Sequence, residues 1–218
     1  MLLYYITDRV QFPGDEVNRQ RLLLDKIAEA AGCGVDYIQL REKDLSIRQL
    51  EDLAREAVRV THLRTGSRKP RTAFLVNSRS DVALATGADG VHLRADDISP
   101  RQAREVFSAH ARNSKLDTRN WLVGVSCHSA AEVSRAAAEN ADFAAFAPVF
   151  EKKDAPGVRP AGLEALREAC GKGMPVLALG GVTLENAQAC ADAGAAGIAA
   201  IRLFQEHDIA KVVQSLRS

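Results

Sequence analysis

Gln39, Arg41 and Lys43 alternate in the run Gln39-Leu40-Arg41-Glu42-Lys43, so in an extended chain their side chains share one face. Two cations and an amide with no acid among them suit a phosphate or diphosphate. The structural alternative is an internal ion pair with Asp8 or Asp97, Glu42 being set aside because it faces the other way. Ser126 and His128 share a face in the same manner, with Cys127 between them pointing away as a buried thiol. A histidine titrating near pH 6.5 both accepts and donates a proton at neutrality, which suits general acid/base work. The Ser-x-His spacing supplies no third member, so a nucleophilic triad is not read here. Gly180-Gly181, followed by Val182 and Thr183, offers backbone N–H groups at an expected helix start, which is phosphate-binding hardware or a tight turn. Gly197-Ile198-Ala199-Ala200 is a second segment of small residues.

These residues need a scaffold that brings them together. Eight short apolar runs, at 2–7, 35–41, 73–77, 90–94, 121–127, 143–150, 175–180 and 197–203, alternate with stretches of helical period. Continuous apolar strands are typical of a parallel sheet covered on both faces. In 46–60, Ile47, Leu50, Leu53, Ala54, Ala57 and Val58 form the apolar stripe of a helix that Ser46 caps. Gly32, Gly34, Gly66, Gly87, Gly173 and Gly194 stand where helices should stop. Eight βα units, with no Gly-x-Gly-x-x-Gly after the first strand, favour a single-domain (β/α)₈ TIM barrel over 1–218 rather than an open nucleotide-binding sheet. In such a barrel chemistry sits at the C-terminal ends of the strands, and loops seven and eight commonly share a phosphate. Thr7, Asp8, Arg9, Asn77, Arg79, Arg94, Asp96 and Asp97 join the residues above at those ends, and Ala200 and Ile201 complete the phosphate segment. His92, within Gly-Val-His-Leu, reads equally as a satisfied core histidine, while His62, His110 and His207 read as surface residues.

Composition removes several classes. Twenty-nine Lys and Arg against 28 Asp and Glu give a net charge of +1, without the basic excess of a nucleic-acid binder. No apolar run approaches the roughly 20 residues that span a bilayer, and the N-terminus has no signal-peptide layout, so a cytoplasmic protein with no membrane partner is expected. Cys33, Cys127, Cys170 and Cys190 form no C-x-x-C pair, which argues against a zinc site or a disulfide framework. The polar stretch 113–120 reads as a loop, and a homo-oligomer is compatible with all of this.

Several segments occur together in a telling order: Tyr5-Ile6-Thr7-Asp8, Ile38 through Lys43, Val76-Asn77 with Arg79, Gly90-Val91-His92-Leu93 followed by Asp97, Gly124-Val125-Ser126 with His128, Pro148-Val149-Phe150, and Leu179-Gly180-Gly181-Val182. From residue 4 to about 204 the chain resembles the thiamine phosphate synthase family, which includes the TenI-like thiazole tautomerases. The resemblance implies a TIM barrel and a role in thiamine biosynthesis. It also implies that Gln39, Arg41, Lys43, Asn77 and Ser126 hold a pyrimidine pyrophosphate, that Asp97 binds magnesium, and that Gly180, Gly181 and 197–201 hold a thiazole phosphate.

Two features depart from the synthase pattern. The family's Asn-Asp pair, whose aspartate is a second magnesium ligand, reads Asn77-Ser78. A Pro-Thr-x-Thr-Lys loop is replaced by Glu151-Lys152-Lys153-Asp154-Ala155. The run from Val149-Phe150 through Gly157-Val158 to Gly162-Leu163-Glu164 is closer to the TenI-like branch, which isomerises a thiazole carboxylate phosphate without a metal and uses the histidine matching His128. The expected function is therefore a metal-independent thiazole tautomerase with no cofactor: His128 as acid/base, Arg41 orienting a substrate carboxylate and Ser126 giving a hydrogen bond. The alternative is a magnesium-dependent thiamine phosphate synthase, and a further one is a non-catalytic regulator that binds a phosphorylated ligand.

Overall fold

The computed structural model describes residues 1–65, 71–113, 121–151 and 157–217, with only the backbone described at 111–113. Gly66, the stretch 114–120, and Lys152 and Lys153 of the substituted loop lie outside the described residues. The chain runs β1 (Leu2–Ile6), α1 (Glu16–Cys33), β2 (Tyr37–Leu40), α2 (Ile47–Thr65), β3 (Ala73–Asn77), α3 (Ser80–Thr86), β4 (Gly90–Leu93) and α4 (Pro100–Asn113). It continues through β5 (Leu122–Cys127), α5 (Ala130–Ala138), β6 (Phe143–Phe146), α6 (Gly162–Cys170), β7 (Val176–Leu179), α7 (Ala187–Asp192), β8 (Gly197–Ala200), α8 (Arg202–Gln205) and α9 (Ile209–Arg217). Each strand pairs in parallel with the next and β8 returns to β1, so the sheet closes into the expected (β/α)₈ barrel. Among the described residues no helix is long and apolar enough to cross a membrane.

Strand alternation sorts the side chains into two packed regions. One face of each strand points outward: Leu3, Tyr5, Ile38, Val76, Val123, Val125 and Cys127 pack against the helices, and burial pushes the Cys127 thiol up to about 12. The other face fills the barrel with Tyr4, Ile6, Leu75, Phe143, Leu177 and Ala199. Low in the barrel, Tyr37 stacks on Phe143 with centroids 4.9 Å apart and planes at 5°, and Tyr4 meets Phe143 edge-on at 5.3 Å. These rings plug the end away from the strand C-termini. In the outer layer Phe107 of α4 stacks on Trp121, just before β5, at 3.8 Å.

Local signals behave as their chemistry requires. Ser46 caps α2 reciprocally: its Oγ accepts from the Gln49 amide at 3.4 Å while Gln49 Oε1 accepts from the Ser46 amide at 3.1 Å. The α2 stripe extends past residue 60 through Thr61 and Thr65, whose hydroxyls donate to carbonyls one turn back. Gly34 ends α1 in the left-handed region, φ 85°, whereas Gly32 lies inside that helix.

Candidate active site

All the strand C-termini lie at one mouth, so Arg41 after β2, Asn77 at the end of β3, His128 after β5, Gly180-Gly181 after β7 and Ile201 after β8 share that end. The expected strand 35–41 is shorter than its apolar run. Gln39 lies on β2, but Arg41 and Lys43 belong to the loop beyond it, so the three do not alternate along one strand. Gln39 is buried and its Nε2 donates to the Tyr4 hydroxyl at 2.6 Å. Arg41 is half-buried at the mouth and, among the described residues, takes part in no ion pair; Lys43 is exposed.

The acid expected to face away is the one that organises this loop. Glu42 is buried, accepts from Thr7 Oγ1 at 2.6 Å and from the Arg9 amide at 3.0 Å, and pairs with Arg9 Nη1 at 3.1 Å. Burial pushes its carboxyl up against the lowering effect of those bonds. Arg9 also reaches Asp44 and Glu16, at 2.6 and 2.7 Å. Thr7 Oγ1 in turn accepts from the Arg41 amide at 3.0 Å, which fixes the backbone that carries the Arg41 cation. The internal ion pair thus exists, with Arg9 and Glu42 as partners instead of Arg41 with Asp8 or Asp97.

Ser126 points inward from β5, half-buried, with Oγ 2.9 Å from His92 Nε2. His92 is buried in the barrel, its Nδ1 3.1 Å from the Tyr4 hydroxyl. Sequence reading missed Tyr4; the available signal was a phenol on the inward face of β1, because a buried hydroxyl needs a partner. Burial, helped by the nearby positive charge of Arg41, lowers the His92 pKa to about 3. Since the folded value lies below the unfolded one of about 6.5, stability from neutral His92 is full above pH 6.5 and is lost as pH falls toward 3. At about 1.4 kcal/mol per pH unit, urea unfolding at pH 5 should show a deficit of about 2 kcal/mol relative to pH 6.5 that His92→Gln lacks. Equal pH dependence in both proteins would contradict a buried neutral imidazole.

His128 is exposed at the mouth, and its Nδ1 lies 2.7 Å from the Ala147 carbonyl. A carbonyl only accepts, so Nδ1 carries a proton, and in the neutral ring the lone pair is on Nε2. The His128 amide donates to Glu132 Oε2 at 2.6 Å, tying the β5–α5 turn to the following helix.

Gly180 and Gly181 both have positive φ, 94° and 66°. A Cβ on Gly181 would fall 2.4 Å from the Glu151 carbonyl oxygen and 2.8 Å from Phe150 Cβ, so only glycine lets the two loops approach this closely. The expected helix start at Thr183 is not there: α7 begins at Ala187, and the Thr183 amide donates to Asn186 Oδ1 at 2.8 Å. Ala200 ends β8, and Ile201 precedes the short α8.

The chain matches the family described as thiamine monophosphate synthase over residues 3–204. The chain belongs to this family. It is 38% identical over 220 residues to a thiamine-phosphate synthase of Methanoculleus marisnigri, covering 99% of this chain and 93% of that protein. It is 32% identical to one from Pyrococcus abyssi, covering 99% and 92%. Among solved structures, thiamine phosphate pyrophosphorylase from Pyrococcus furiosus superposes with a TM-score of 0.77 at 29% identity, covering 99% of this chain and 93% of that one.

Magnesium, implied by the synthase branch of this family, does not fit the donors as they stand. Asp97 Oδ2 accepts from the Arg94 amide at 2.7 Å, and Oδ1 lies 3.4 Å from Arg94 Nη2. A hard dication at Asp97 would have to displace that guanidinium or bond beside its charge. The second acidic position is Ser78, whose Oγ accepts from Asn77 Nδ2 at 3.1 Å. Among the described residues no three His, Cys, Asp or Glu side chains cluster as metal ligands.

Proposed function

We propose that this member of the thiamine monophosphate synthase family moves a proton on a thiazole carboxylate phosphate without a metal, as a thiazole tautomerase. The observation that carries the reading is the His128–Ala147 hydrogen bond, which leaves an imidazole nitrogen with a free lone pair at the barrel mouth. Nε2 takes the proton from the ring carbon and delivers it to the carbon that the migrating double bond leaves, so the imidazole is restored at the end of each cycle. Arg41, its backbone pinned by Thr7, offers the cation for the substrate carboxylate, and Ser126 offers a hydrogen bond. Gly180, Gly181, Ala200 and Ile201 form the expected cradle for the phosphate, with Gln39, Lys43 and Asn77 around the remaining ligand.

The named relatives favour a second reading, the coupling of hydroxymethylpyrimidine pyrophosphate to thiazole phosphate, and on likeness alone it is the better supported of the two. Two turnover assays on one preparation separate them: tautomerisation, and pyrimidine–thiazole coupling with and without magnesium. The first reading expects tautomerisation that a chelator leaves unchanged. Coupling that requires magnesium, without tautomerisation, would replace it with the second. Ligand binding with neither turnover would select the regulator.

A further inference from the structure

Gln39, Tyr4, His92 and Ser126 form a continuous hydrogen-bonded chain from the barrel interior to its mouth. Gln39 Nε2 donates to the Tyr4 oxygen at 2.6 Å, and Tyr4 and Gln39 are at most 1% exposed, with His92 at 2%. Among the described residues the Tyr4 proton then has one acceptor in reach, His92 Nδ1 at 3.1 Å. With Nδ1 accepting, the ring proton of neutral His92 belongs on Nε2, which donates to Ser126 Oγ at 2.9 Å. The serine oxygen is thereby occupied as an acceptor, and its own proton is directed elsewhere. Gly124 makes the arrangement possible: a Cβ there would fall 2.8 Å from His92 Nδ1 and 2.4 Å from Phe143 Cζ.

We propose that Tyr4 and His92 are positioning residues that hold Ser126 as a hydrogen-bond donor to the ligand, so that the site selects a ligand atom bearing an acceptor lone pair. This order of protons also removes His92 as a base for Ser126: an Nε2 that carries a proton cannot take one from the hydroxyl. Ser126 is therefore a recognition group and not a nucleophile, although a histidine stands beside it. The ligand half of the inference rests on the proton-transfer reading, whereas the tautomer of His92 does not.

The test has two arms. In the ligand-free parent, ¹⁵N NMR of the His92 ring should show a protonated Nε2 and an unprotonated Nδ1, and Tyr4→Phe should mix the two tautomers. Affinity for thiazole carboxylate phosphate, measured by calorimetry, should fall about tenfold in Ser126→Ala and several-fold in Tyr4→Phe, with Tyr4→Phe adding almost nothing once Ser126 is alanine. A merely structural Tyr4 would weaken binding equally in both backgrounds, and that result overturns the proposal. So does an Nδ1-protonated His92 in the parent, which needs no variant to fold. If the parent fails to bind the thiazole at all, the proposed function falls and the NMR arm still decides the proton order.

Discussion

Turnover in a His128→Asn variant is expected to fall on the order of 10²-fold or more, with ligand affinity changed little. Asparagine retains an amide that can reach the Ala147 carbonyl, so the turn is preserved while the lone pair of Nε2 is lost. The effect should therefore appear in kcat and not in KM, since the removed group acts on the proton in flight more than on the bound ground state. Steady-state kinetics and a calorimetric titration of the same variant make the separation. A variant nearly as active as the parent, together with coupling activity that a chelator abolishes, would establish the synthase chemistry instead.

The second large effect concerns stability. Arg9→Ala removes the cation from Glu42, whose side chain is 1% exposed, and leaves a buried carboxylate with its Thr7 and backbone donors only. A cost of about 3–5 kcal/mol is expected from urea unfolding at neutral pH. The double replacement Arg9→Ala with Glu42→Leu should cost less than the Arg9→Ala single, because no buried charge is left uncompensated. Additive losses across the cycle would mean that the two side chains stabilise the protein independently. Activity should follow stability here, since Glu42 steadies Thr7 and Thr7 holds the Arg41 backbone.

The barrel was legible because its strands are apolar on both faces, and the segment 73–77 coincides with β3. Where the reading overran, burial persisted after the hydrogen-bonded ladder had ended. The run 143–150 stops as a strand at Phe146, yet Val149 is 1% exposed; the run 197–203 stops at Ala200, yet Leu203 is 6% exposed. A loop at Val149 and the short helix α8 at Leu203 pack back over the core and keep strand-like composition without strand geometry. The same overrun hid the role of Glu42, because alternation was carried beyond Leu40 into a loop where it no longer applies. His128 and Ser126 could be singled out by residue type and spacing. Their hydrogen bonds to Ala147 and His92 could not, since each partner lies on a neighbouring strand or loop and only the closure of the sheet brings them within reach.

Trp121 is the chain's single tryptophan, 5% exposed and stacked on Phe107 of α4 at the opposite end of β5 from Ser126 and His128. Nature has thus placed one optical reporter in this barrel, on its outer layer and at its plugged end. Its emission tracks whether α4 remains docked on the sheet and is insulated, by the length of a strand, from ligands arriving at the mouth. Fluorescence consequently gives a clean readout of unfolding for every variant described above, while occupancy of the mouth has to be followed by heat, by turnover or by the nuclei of the ligand itself.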